Sequence, residues 1–273
     1  MEDKQYGWNA FLADLRSAMN RRFLISVFGI VLCFCLDNWE TLKVSLHSQS
    51  SALCVFYFFF NSYSFGGIFM SYFSCLLAAL PFSTRYSYEC QGGMNVYALA
   101  RCGRKNYARV KMIVAGLSGG AVLLLGGLVF SLALASYLPV ITRTKLMDYN
   151  GMPYYSFLAS GTGWKYFAVV LYLSFLSGAI YGCVGMAASA FLPSPYLAIC
   201  TPMVFSFSLV EFSRLFALPS SIRLDYLLKA RGIIWTESLT LILLTIEAFA
   251  ICWALYRLFL KRVCHRLEEA ERC

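Results

Sequence analysis

Long uncharged apolar runs alternate with short polar, mostly basic segments along the whole chain. An apolar run of about 20 residues has the length of a helix that crosses a hydrocarbon core of about 30 Å. Six such spans are expected, over residues 23–38, 53–82, 112–138, 166–190, 196–216 and 238–260. The first is short: Phe23–Leu36 is stopped by Asp37, so it must borrow Arg22 or Trp39, or thin the bilayer locally. The uncharged stretch Tyr166–Val210 is too long for one crossing. Pro193-Ser194-Pro195 divides it, because proline lacks the backbone donor and clashes with the preceding turn. Ahead of the spans, Trp8, Phe11, Leu12, Leu15 and Met19 fall at helical spacing on one face, with Asp14, Arg16, Asn20 and Arg21 on the other. That pattern predicts an interfacial helix over residues 7–22, anchored by Trp8. The expected architecture is an all-α polytopic membrane protein: one transmembrane domain of six helices behind an amphipathic interfacial helix.

Composition agrees with the pattern. Of 273 residues, 59% are hydrophobic and 14% charged, against about 25% charged in an average soluble domain. Mean hydropathy is +0.64. Such a chain cannot cover a water-facing surface with polar groups, which argues against a soluble enzyme, a nucleic-acid-binding domain and disorder. The net charge of +9 instead reports topology. With six spans, fifteen Lys and Arg fall on the side of both termini and eight on the other. Both termini are therefore expected in the cytoplasm, and the chain in a plasma membrane of bacterial type. The polar N-terminus lacks a cleavage site, so the first span is expected to act as its own insertion signal.

Candidate chemistry is sparse. Seven of the eleven cysteines lie in apolar stretches and no CxxC pair exists. The two histidines, His47 and His265, lie outside the spans, so no metal site or bound cofactor is expected. No GxxxxGK[ST] loop offers a phosphate cradle. Leu117-Ser118-Gly119-Gly120 spells the start of an ATP-binding-cassette signature, but in an apolar run it reads as small residues that let helices approach. Gly178 and Gly182 read the same way. Intramembrane proteolysis would need a His base or ligands within a span, and none is there. Two carboxylates sit in the apolar runs. Glu211 is spaced to pair with Arg214 at i+3. Glu247 lies near mid-span, as a substrate-pathway group or a hydrogen-bonded structural one. Asn61, Ser62 and Ser64 add polar lining to the second span.

The most informative segment is the loop over residues 83–111, LPFSTRYSYECQGGMNVYALARCGRKNYARVKMI with its flanks. A short amphipathic helix enters near Glu89, Gly92-Gly93 and Gly103 break the chain, and a basic stretch from Arg104 to Lys111 meets the third span. Arg109 and Lys111 read as membrane-side anchors. This loop resembles the cytoplasmic loop of type-2 ABC exporter permeases in its Glu89, Gly92, Leu99, Arg101, Arg104, Tyr107 and Lys111. The family's proline in the turn is replaced by Cys102-Gly103. The resemblance implies that the loop helix docks on a separate ATPase subunit, so that Glu89, Gly92, Leu99, Arg101, Arg104 and Tyr107 couple to it. It implies two such ATPases, holding ATP and magnesium, and a second permease as homodimer or heterodimer partner. This chain would then carry no ATPase activity itself. Glu247, Asn61 and Glu211 would be candidates for the translocation pathway of an amphipathic or hydrophobic cargo: a peptide, a drug-like molecule or a lipid-linked glycan. A non-transporting immunity or sensor protein and the membrane component of a vitamin importer are the alternatives. Two outer loops complete the layout. Residues 139–164 carry Tyr149, Tyr154 and Tyr155, and residues 217–236 carry an amphipathic Leu224, Leu227 and Leu228.

Overall fold

The computed structural model describes residues 2–47, 54–140, 153–159, 163–192, 194–219 and 222–272. Among these the regular structure is helical, in order α1 (Glu2–Ala18), α2 (Arg21–Asp37), α3 (Trp39–His47), α4 (Val55–Tyr63), α5 (Ile68–Ala79), α6 (Arg85–Gln91), α7 (Met94–Cys102), α8 (Arg104–Ala135), α9 (Tyr155–Ala159), α10 (Trp164–Ser189), α11 (Pro195–Leu215), α12 (Leu224–Leu228) and α13 (Glu237–Arg272). Four of them, α8, α10, α11 and α13, are each long and apolar enough to cross a membrane. Two bent pairs bring the number to six if each is one crossing: α1 with α2, and α4 with α5.

At the first bend the axes turn by 49°. Asn20 makes the restart possible, because its side chain accepts the Arg22 amide at 2.8 Å and caps α2. The 17 residues of α2 reach about 26 Å, short of a full core as the sequence suggests. Its far end is not loose, since Asn38 follows with its side chain buried against α4. The helix α3 that comes next has no counterpart among the sequence expectations.

The expected second span, 53–82, is divided. α4 and α5 meet at 72° around Ser64–Gly67. Gly66 takes φ of +76°, a conformation side chains resist, and a Cβ on Gly67 would overlap the Asp37 carboxylate. Charge then stabilises the opening: Asp37 accepts the Phe69 amide at 2.9 Å and the Met70 amide at 3.0 Å, capping α5 from another helix. The third span also differs from expectation. Its helix starts at Arg104 rather than 112, so the basic stretch forms two helical turns of a 32-residue rod about 48 Å long. α13 likewise runs well beyond residue 260.

The expected division between α10 and α11 stands, with Pro195 in the first turn of α11, where its missing donor costs nothing. Pro193 and Tyr149 lie outside the described residues. Leu224–Leu228 forms α12, with Leu227 and Leu228 buried as the pattern suggested. α8 and α10 pack most closely, through the small residues. A Cβ on Gly178 would lie 2.9 Å from the Gly119 carbonyl carbon, and one on Gly182 would lie 3.0 Å from that of Ala115. Backbone touches backbone there, which only glycine permits.

Two apolar clusters fill the bundle. The larger includes Phe34 stacked between Phe59 and Phe130, at 5.2 and 4.7 Å between ring centres. The smaller gathers Ala18 of α1, Tyr86 of α6, Met112 of α8 and Phe259 of α13. The N-terminal helix, the 85–111 region and the end of the last helix therefore meet at one end of the molecule, where most of the basic residues also lie.

Candidate functional site

The loop singled out in the sequence folds as an elbow of two short helices. Gly92 ends α6, Gly93 at φ +66° turns the chain, and Gly103 at φ +73° separates α7 from α8. A buried charge network fixes this elbow to the bundle. The Glu89 carboxylate accepts Lys111 Nζ at 2.6 Å, Tyr107 Oη at 2.7 Å and Arg85 Nε at 2.9 Å. Lys111 also donates to Asp14 of α1 at 2.9 Å and lies over the rings of Phe82 and Tyr107. Arg22 at the start of α2 reaches Thr84 at 3.0 Å and lies over Tyr88. Two acids and two bases thus tie α1, α6 and α8 together.

The two acids sit differently. Burial opposes ionisation of Glu89, but Lys111, Tyr107 and Arg85 outweigh it and hold the carboxyl below its ordinary range. Burial pushes the Asp14 carboxyl up, and Lys111 returns only part of that shift.

The structure divides the six residues proposed to face an ATPase. Glu89, Leu99 and Tyr107 point inward. Gly92, Arg101 and Arg104 are exposed, and with them Met94 and Tyr97, the latter 74% accessible. Arg109 is exposed. Lys111 is not an anchor: its side chain is 3% accessible, inside the network. Sequence spacing could not show this, because its partners lie 22 and 97 residues away.

A second polar centre lies at the break in the second span. Asn38 donates to the Phe58 carbonyl at 3.1 Å and to Ser62 Oγ at 2.6 Å, and accepts from Asn61 at 3.2 Å. Tyr63 donates to the Leu228 carbonyl at 3.0 Å, so the connector between α11 and α13 folds back onto the break. From that connector Arg231 donates to the Ser64 carbonyl, a partner for the C-terminal end of α4, and Lys229 approaches Ser71 at 3.4 Å. Burial, then the neighbouring Arg231, lowers the Lys229 ammonium below its ordinary range. Lys229 and Arg231 are two of the eight basic residues expected on the side opposite the termini. The glycine doublet Gly66-Gly67 was the available signal for this centre.

The three candidate pathway residues lie on three different helices, α4, α11 and α13. Asn61 is engaged by Asn38. Glu211 pairs with Arg214 at 3.2 Å, as its spacing predicted, with both side chains largely exposed. Glu247 is on the outward side of α13, without a hydrogen-bond partner among the described residues. No group of three His, Cys, Asp or Glu that could hold a metal occurs among the described residues. Cys183 of α10 donates to the Met112 carbonyl at 3.6 Å, and with Cys252 of α13 it lines a groove beside α8.

No family model, curated protein or solved structure matches this chain. The long apolar helices, the backbone-to-backbone glycine packing and the apolar outer faces of α11 and α13 define a helical multi-pass membrane protein.

Proposed function

We propose that the chain is the membrane permease subunit of an ATP-driven exporter, worked by a separate ATP-binding-cassette subunit. The observation that carries this reading is the elbow. Its outer helix α7 presents Met94, Tyr97 and Arg101, while its inner side is fixed by Glu89, Lys111 and Asp14 to the third span and to α1. A force applied to α7 therefore acts on the start of α8 and on α1 together, which is what a coupling element requires. Gly92, Arg101 and Arg104 are the surface part of this element, and Glu89, Leu99 and Tyr107 its internal mounting. ATP hydrolysis belongs to the partner in this reading, and a second permease copy or paralogue completes the transporter. The aromatic, uncharged spans favour an amphipathic or hydrophobic cargo.

The test is purification of the tagged chain from its native membrane in mild detergent, with mass spectrometry and an ATPase assay. A stoichiometric ATP-binding-cassette partner, lost in a Tyr97→Ala/Arg101→Ala variant that keeps its thermal stability, is expected. A chain that purifies alone and without ATPase activity overturns the proposal, in favour of a non-transporting role.

A further inference from the structure

On the lipid-facing side, α8 and α13 stand on either side of α10 and leave a groove of about 420 Å³ between them. Its floor is Phe175, Ala179 and Cys183 of α10. Its walls are apolar: Ile113 and Leu117 on α8, Phe249 and Trp253 on α13. Gly116 keeps it open at the base, where a Cβ would lie 3.1 Å from Cys183 Sγ.

Both walls change character at the same level. On α8, Arg109 and Lys105 follow the apolar positions at helical spacing toward the N-terminus of the helix. On α13, which runs the opposite way, Arg257 and Lys261 follow Phe249 and Trp253. Lys105, Arg257 and Lys261 line a second depression that shares Trp253 with the groove, so the apolar slot opens directly into a basic one. All four cations are exposed, and none forms an ion pair with a carboxylate among the described residues. Arg257 is held over the Trp253 ring, at the junction of the two depressions.

The dimensions select the occupant. From Leu117 to Lys105, and from Phe249 to Lys261, each wall rises about 18 Å, which is one leaflet's hydrocarbon depth of about 15 Å plus the start of the headgroup region. A wholly apolar helix has no need of a slot that ends in four exposed cations without a carboxylate partner among the described residues. One acyl chain below one phosphate does.

We propose that this groove binds a single anionic phospholipid of the leaflet at the basic end, its acyl chain against α10 and its phosphate among Lys105, Arg109, Arg257 and Lys261. The inference is independent of the exporter reading, because it requires neither an ATPase nor a cargo.

Native mass spectrometry of the full-length protein, delipidated in detergent and titrated with phosphatidylglycerol or phosphatidylcholine, tests it. One phosphatidylglycerol per chain is expected, retained over phosphatidylcholine. An Arg257→Ala/Lys261→Ala variant should bind phosphatidylglycerol about 30-fold more weakly, the effect of two basic residues near the surface. Ile113→Trp, which fills the slot from an exposed position and leaves every charge in place, should abolish the one-to-one complex. Inorganic phosphate at millimolar concentration should not compete, since it lacks the chain. Equal retention of the two lipids, or binding unchanged in Ile113→Trp at unchanged thermal stability, overturns the proposal. So does displacement by phosphate alone, which would make the site a free-anion site.

Discussion

At the scale of single residues, the chain's stability at the basic end rests on Glu89. Its carboxylate holds a buried lysine, an arginine and a tyrosine at once. Glu89→Gln leaves Lys111 buried with only Asp14 for a counter-charge, and breaking a buried pair in this way costs about 3–5 kcal/mol. Asp14→Asn should cost about 1 kcal/mol or less, because burial already disfavours the charge it removes and an amide oxygen still accepts from Lys111. The acid limbs should differ too. Glu89 is held below its reference value of 4.5, so its contribution is complete above that pH and is lost as pH falls through the folded value. Asp14 is raised above 3.8, so its charge costs the fold as pH rises, and the cost is relieved in acid. The wild type should lose stability below about pH 4.5. That loss should be absent in Glu89→Gln and steeper in Asp14→Asn. Thermal unfolding in detergent at pH 3 to 7 reads all three. Equal costs for the two substitutions would show that the network is not organised around Glu89.

At the scale of elements, what could be read in advance was whatever depends on neighbours along the chain. The face of α12, the Pro195 start of α11, the Glu211–Arg214 pair and the Gly178/Gly182 contact each rest on residues close together in the chain, so each is visible locally; the face of α1 is not, since Asp14, expected on its polar side, is held by Lys111 while Leu12 and Met19 are exposed. The division of the second span was not, because the apolar run continues through Phe65 and hides the doublet Gly66-Gly67. What opens that helix comes from elsewhere: Asp37 from α2 and Arg231 from the α11–α13 connector. The candidate site was legible in part for the same reason. The loop and its glycines marked the elbow, but which of its residues face inward depends on α1 and α8. Two glycines separate the kinds of element this fold uses. Gly178→Ala would set a methyl against the Gly119 backbone, which cannot yield as a side chain can, and should cost about 3 kcal/mol. Gly93→Ala meets nothing within 4 Å, so only its φ of +66° is penalised, about 1 kcal/mol. Unfolding of the two variants in mixed detergent micelles should show that difference, with Gly93→Ala leaving the α8–α10 contact untouched.

At the scale of the whole molecule, the arrangement of charge and the packing of the ends constrain each other. Ala18 near the N-terminus and Phe259 and Val263 near the C-terminus belong to one buried cluster, with Tyr86 and Phe259 5.1 Å apart between ring centres. The packing of both ends of the chain on one cluster predicts that they lie on one side of the membrane, and with that an even number of crossings. Four long helices satisfy that, and six satisfy it with α2 and the α4–α5 pair as two more. The exposed cations at the same end predict that it is the cytoplasmic one: Arg101, Arg104, Lys105, Arg109, Arg257 and Lys261 flank α8 and α13 within the distance over which basic residues set orientation. Lys111 drops out of that count, being buried, yet its neighbours suffice. Periplasmic-reporter fusions should be silent after Arg272 and active after Tyr137, at the far end of α8. A fusion after Asp37 separates four crossings from six: it is active only if α2 delivers its C-terminal end to the far side, where α4 begins against Pro139 and Val140. Activity at Tyr137 with silence at Asp37 would make α2 and the divided helix a re-entrant pair, and leave α8, α10, α11 and α13 as the four crossings.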